Sequence, residues 1–169
     1  GRVSQSYMFS MSYLALSFFV ISDLIYLPYL VTFGILLLIA PGMDFFVDNS
    51  YLQLNGITLN LGEEFYSGSS FLRTKNVEIN GKLKLSRSST GLIEETIING
   101  EVNVRERSSL LLSDSTINGE IEIVDNSFTS LDKTTVNGTV NNKTIKVKNN
   151  SSLNLWKSNI TGFSGAGDV

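Results

Sequence analysis

Glu94, Glu95, Asp114, Asp132 and Lys133 are the residues of this chain whose types and spacing come nearest to a reactive set. Paired carboxylates can divide the work of glycoside hydrolysis, one protonating the leaving oxygen while the other activates water. These five fall at nearby positions of successive repeats, but they suit turns at repeat corners equally well and foreshadow no cleft, so no catalytic role is expected of them. Little else in the composition could react. The chain has no Cys and no His, which removes thiol nucleophiles, imidazole bases, disulfides and the usual zinc ligand sets. Calcium-binding nonapeptides with regularly placed Gly and Asp are absent too. Neither metal nor cofactor is expected. A net charge of −3 gives no basic footprint for nucleic acid.

Asn137-Gly138-Thr139, Asn142-Lys143-Thr144, Asn149-Asn150-Ser151, Asn150-Ser151-Ser152 and Asn159-Ile160-Thr161 match the N-glycosylation sequon, a density that an Asn- and Ser/Thr-rich chain reaches by chance. Phe128 and Trp156 could be ligand platforms; packing at core or corner is the default for such side chains.

What must position all of these is a repeat. Aligned on Ile/Val-Asn-Gly, the chain restarts at Ile79, Ile98, Ile117 and Val136, each 19 residues after the last. Ile160-Thr161-Gly162 follows after 24, the extra five residues falling in NNKTI (141–145), and a looser copy opens at Leu54-Asn55-Gly56. A fixed period of this length marks stacked repeats. Within it, KLKL (82–85), EVNV (101–104) and EIEI (120–123) alternate apolar and polar residues, the pattern of strands. Wound into coils about 4.8 Å apart, equivalent residues become columns: Ile79, Ile98, Ile117, Val136 and Ile160; Leu83, Val102, Ile121 and Val140; Leu85, Val104 and Ile123. Buried at about 1.5–3 kcal/mol each, they supply a core that no single repeat could. The sequence therefore predicts a mainly β fold, a single-stranded parallel β-solenoid of the right-handed β-helix kind, over 51–163. Asn80, Asn99, Asn118 and Asn137 should stack as an amide ladder, each donating and accepting along the column. Beside them Gly81, Gly100, Gly119, Gly138 and Gly162 read as turn positions with positive φ. On the outside Lys82 falls over Glu101, whereas Glu101 over Glu120 sets like charges together.

The remaining element is apolar. Tyr7 to Met43 holds one charge, Asp23, in 37 positions, and every Lys and Arg except Arg2 lies beyond residue 70. That exceeds the roughly 20 apolar residues that cross a bilayer. Residues 1–43 are thus expected to form an apolar α-helical segment ahead of the solenoid, a membrane anchor or assembly helix, with 44–50 as linker and 164–169 as tail. One long helix kinked near Pro28 and a hairpin turning at Ser22-Asp23 both fit, and Pro41-Gly42 ends either. Ser6, Ser10 and Ser17 lie near one helical face, where small residues permit close helix contact or bond their own backbone. Asp23 marks a turn or pairs within an assembly. Arg2 before the stretch and Asp44 and Asp48 after it would leave the solenoid of a single-span chain extracytoplasmic, at the cell surface; a hairpin would reverse that.

The succession Ile-Asn-Gly-Glu-Val-Asn-Val (98–104), Ile-Asn-Gly-Glu-Ile-Glu-Ile (117–123), Val-Asn-Gly-Thr-Val (136–140) resembles the short Gly-punctuated rungs of bactofilins, bacterial cytoskeletal β-helix proteins that polymerise end to end and often touch membranes. The likeness covers about 79–162. It implies assembly through solenoid ends and nothing catalytic. The irregular coil at 51–78 and 141–147 and the long apolar N-terminus depart from it. A helix followed by a β domain also looks like pilin subunits, but Gln5 stands where such helices carry an acidic residue. The resulting expectation is a non-catalytic structural subunit, membrane-anchored or filament-forming, with the membrane and/or copies of itself as partners. The alternatives are a surface binding module for a glycan or protein partner and, behind it, an enzyme acting on polysaccharide.

Overall fold

The computed structural model describes residues 42–138 and 145–161. Among these every element is a strand and every pairing is parallel. The alternation of apolar and polar residues is the cause: with side chains pointing to opposite sides at successive positions, each coil can bury one set only against the coils above and below.

Three faces result. The first is a six-stranded sheet of β2 (Tyr51–Asn55), β4 (Phe71–Lys75), β6 (Thr90–Glu94), β9 (Ser109–Ser113), β12 (Phe128–Asp132) and β15 (Ser152–Trp156). The second stacks the starts of β3 (Thr58–Gly68) and β5 (Glu78–Ser86) with β7 (Ile97–Asn99), β10 (Thr116–Ile117), β13 (Thr135–Asn137) and β16 (Asn159–Thr161). The third stacks β1 (Met43–Asp48) and the ends of β3 and β5 with β8 (Val102–Val104), β11 (Ile121–Ile123) and β14 (Ile145–Val147). Because β3 and β5 run through the corner between them, the second and third faces form one ten-stranded sheet. This is a parallel β-solenoid with turns of 19 residues.

The register carries the columns. Ile79 pairs with Ile98, Ile98 with Ile117, Ile117 with Val136 and Val136 with Ile160. The first four are fully buried, as are Leu83, Val102 and Ile121, and Leu85, Val104 and Ile123.

Several expectations need correction. Leu54-Asn55-Gly56 is not an early copy of the repeat: Ile79 pairs with Leu59 and Asn80 with Asn60, whereas Leu54 and Asn55 lie on the first face, paired with Thr74 and Lys75. The place of Val140 over Ile121 belongs to Ile145, because the five inserted residues precede β14. Residues 43–48, assigned to the helix end and linker, are strand β1, and the reason is their own alternation, with Phe45 and Val47 fully buried. Among the described residues no helix is long and apolar enough to cross a membrane. That overturns the expected transmembrane helix, and with it the membrane-associated localisation: the residues described are committed to strands, each facing the core with only every second side chain. The expected apolar helix itself, with Ser6, Ser10, Ser17 and Asp23, lies outside the described residues, as do Val140 and Gly162.

Candidate functional site

The amides of Asn60, Asn80, Asn99, Asn118 and Asn137 stand in one column on the second face. The Nδ2 of Asn80 donates to Asn60 Oδ1 at 2.8 Å, Asn99 to Asn80 at 2.6 Å, Asn118 to Asn99 at 2.6 Å and Asn137 to Asn118 at 2.9 Å. Thr161 closes the run, its hydroxyl donating to Asn137 Oδ1 at 2.6 Å. Glycines follow in the next column for a reason other than the one expected. Gly81 has φ +148°, but Gly100 and Gly119 lie outside the left-handed region. What excludes a side chain there is the neighbouring coil: a Cβ on Gly100 would fall on the carbonyl of Gly81, and one on Gly119 on the carbonyl of Gly100.

Two further ladders escape a reading based on apolar columns. Ser50, Ser70, Ser89 and Ser108 each donate a backbone N–H to the Oγ of the serine one coil on, at 3.0–3.2 Å, and Ser127 does the same to Ser151 at 3.0 Å. Thr74, Thr96, Ser115, Thr134 and Ser158 hold the opposite end of the first face similarly, through Thr96 N–H to Ser115 Oγ and Thr134 N–H to Ser158 Oγ, each at 3.1 Å. Ser70, Ser89, Ser108 and Ser127 recur every 19 residues, so the signal was present. It hid among residues that also decorate ordinary turns.

The candidate reactive residues are not brought together. Glu95, Asp114 and Lys133 occupy the corner after the first face with φ of 47°, 49° and 50°. Ser113 stands between Glu94 and Asp132 in the register. Glu94 is engaged by Arg73 at 3.5 Å and Lys75 at 3.9 Å, and Glu95 by Lys75 at 3.8 Å. A shallow groove of 300 Å³ along this corner includes Glu78, Glu95 and Ile97, and neither Asp114 nor Asp132 lines it. Among the described residues no cluster of three or more acidic side chains could hold a metal ion.

Charge is arranged between coils. Lys82 Nζ lies 3.1 Å from Glu101 Oε1. That hydrogen bond, together with the nearby carboxylates, raises the Lys82 pKa against the opposing effect of burial. For Glu101 burial is the largest single influence and pushes upward, but bonds from Lys82 and Asn103 outweigh it and the carboxyl sits below its ordinary value. The conflict of Glu101 over Glu120 is relieved by Lys146, 3.2 Å from Glu120 and 3.9 Å from Glu122. Nearer the start, Arg87 spans three coils. Its Nε donates to Tyr66 Oη at 3.1 Å and its Nη2 to Asp48 at 2.7 Å, and these two bonds, Tyr66 first, hold its pKa above the usual arginine value.

Two surfaces are left apolar. Outside the first face, Tyr51 and Phe71 stack with centroids 5.3 Å apart, and Leu111 and Phe128 are 41% and 37% exposed. The second is the last coil. Leu131 is 0% exposed, yet Leu155, its partner one coil on, is 42% exposed and neighbouring Trp156 is 60%. Among the described residues, β14, β15 and β16 each end a sheet path.

No protein-family model, curated protein or solved structure matches the chain. The likeness to bactofilins therefore rests on the architecture alone, a parallel β-solenoid of 19-residue turns, and no family link to them is found.

Proposed function

We propose that the chain is a non-catalytic structural subunit whose solenoid joins copies of itself end to end through the open last coil. The rise in exposure from Leu131 to Leu155 carries this reading: strand edges and an uncovered core invite another strand-bearing end. The partner that fits is a second copy. Residues 145–161 hold Lys146, Lys148 and Lys157 and no acid, whereas residues 42–60 hold Asp44 and Asp48 and no base. Opposite formal charges favour first coil on last coil and disfavour last on last. Sedimentation and electron microscopy of the full-length protein test it. Particles should lengthen with concentration and shorten with salt, and Leu155→Lys should stop the growth. A protein that stays monomeric at every concentration and ionic strength would sink the idea.

A second reading, a binding module for a glycan or protein partner, draws on the Tyr51–Phe71 stack and on Leu111 and Phe128 outside the first face, since flat aromatic surfaces suit the apolar faces of sugars. A saturable glycan-array signal from the full-length protein, lost in Phe128→Ser, would favour it over assembly.

A further inference from the structure

The chain contains five Asn-Gly pairs: Asn55-Gly56, Asn80-Gly81, Asn99-Gly100, Asn118-Gly119 and Asn137-Gly138. This dipeptide is the one most prone to spontaneous deamidation, since a following residue without a side chain lets its nitrogen approach the Asn carboxamide. The backbone nitrogen of Gly attacks Asn Cγ and gives up its proton to water. The Cγ–Nδ2 bond breaks and ammonia leaves, closing a succinimide. Water then opens that ring at either carbonyl, giving isoaspartate or aspartate, with no change in oxidation state. Two things are needed of the fold: a side-chain amide at liberty to turn back, and room for the ring.

Four of the five pairs have neither. Asn80, Asn99 and Asn118 each donate Nδ2 to the coil before and accept at Oδ1 from the coil after, and Asn137 is held by Asn118 and Thr161. Asn118 is exposed, so solvent access is not what separates it from the fifth pair. Beside Gly100 and Gly119 the space a ring would enter is filled by the carbonyl of the preceding glycine. Asn55 differs on both counts. It stands in the first face, outside the ladder, paired in register with Lys75. It is exposed, and among the described residues its side chain has no hydrogen-bond partner. Nothing lies within 4 Å of a Cβ placed on Gly56, whose φ is +67°. One restraint remains, the Gly56 N–H bond to Lys75 O at 3.0 Å, at a corner open to water.

We propose that Asn55 is the deamidation site of the folded protein and that the amide ladder protects the other four Asn-Gly pairs. The product carboxylate would form beside Lys75, whose ammonium already sits 3.9 Å from Glu94 and 3.8 Å from Glu95. Isoaspartate adds a backbone carbon at the first corner, so the change acts on the register between β2 and β4.

The test is peptide mapping by mass spectrometry of the full-length protein aged in mildly alkaline buffer, native and in concentrated urea. Natively, Asn55 should convert first, with the ladder residues at least roughly tenfold slower, the factor that two net hydrogen bonds supply. In urea all five should convert at similar rates. The variant Asn99→Ala, which removes the acceptor of Asn118 Nδ2, should raise conversion at Asn118 while leaving that at Asn55 unchanged. Ladder residues converting natively as fast as Asn55, or an Asn55 no faster than they are, would overturn the proposal. Should Asn99→Ala fail to fold, the native-against-urea comparison still decides.

Discussion

At the scale of single residues, stability rests on polar groups aligned between coils. Ser89 shows why: its Oγ accepts the buried N–H of Ser70 at 3.1 Å and donates to Ser67 O and Ser86 O. Ser89→Ala leaves that N–H without a partner, and an orphaned buried donor costs about 1–3 kcal/mol. The urea midpoint should fall accordingly, with an unchanged slope. The opposite sign is expected at Thr129, a hydroxyl fully buried among aliphatics with no hydrogen-bond partner for its Oγ1. Thr129→Val keeps the shape and removes the orphan, so the same measurement should show stabilisation of about 1 kcal/mol. The Lys82–Glu101 pair fixes a pH window. Glu101, lowered from 4.5, contributes stability above that value and loses it as pH falls through its lower folded pKa. Lys82, raised from 10.5, contributes below that value and loses it as pH climbs through its higher folded pKa. Both side chains are 35% exposed, so the effect is small. It should vanish from the acid limb of a pH–stability curve in Glu101→Gln.

At the scale of strands and corners, the coil was legible because its signal repeats. Ile79, Ile98, Ile117 and Val136 share a spacing of 19, and one residue of slip would turn every buried side chain outward. The first coil was not legible. Tyr51 pairs with Phe71 at 20 residues, while Phe65 pairs with Leu83 at 18, the difference absorbed by a register shift between Asn60 and Glu64. A period-based alignment cannot see a bulge, so it set Asn55 in the column that belongs to Asn60. The glycine column was read correctly in place and wrongly in cause. Positive φ would let Asn or Asp substitute for Gly, whereas contact with a neighbouring carbonyl admits no Cβ at all. Gly100→Ala therefore separates the two accounts. It should cost more than the roughly 1 kcal/mol of a strained φ, because coils must part at Gly81, and Gly100→Asn should be no better tolerated; thermal unfolding of both variants would read this out. The candidate acids were legible as corner residues and no further, since nothing in a one-dimensional pattern tells whether Ser113 will stand between Glu94 and Asp132.

At the scale of the whole molecule, a solenoid is nearly one-dimensional: each coil contacts only its neighbours, and stability approximates a sum of coils and interfaces. An interior coil such as β6–β8 has two interfaces, whereas among the described residues the coil of β14–β16 has one. Opening from that end therefore breaks half as many interfaces as opening in the middle. Native hydrogen exchange should be fastest at β14–β16 and slowest around Ile98, with protection rising over successive coils. The same gradient tests assembly. A copy seated on the last coil would supply its missing interface, so amides of Leu155 and Ile160 should gain protection as protein concentration rises, while those of Ile98 stay constant. Raising the ionic strength should reverse the gain, because joining a coil with three lysines to one with two aspartates and no base is weakened by screening beyond about 8–10 Å. Protection at Leu155 that ignores both concentration and salt would mean that the last coil closes on its own, and end-to-end joining would lose its physical basis.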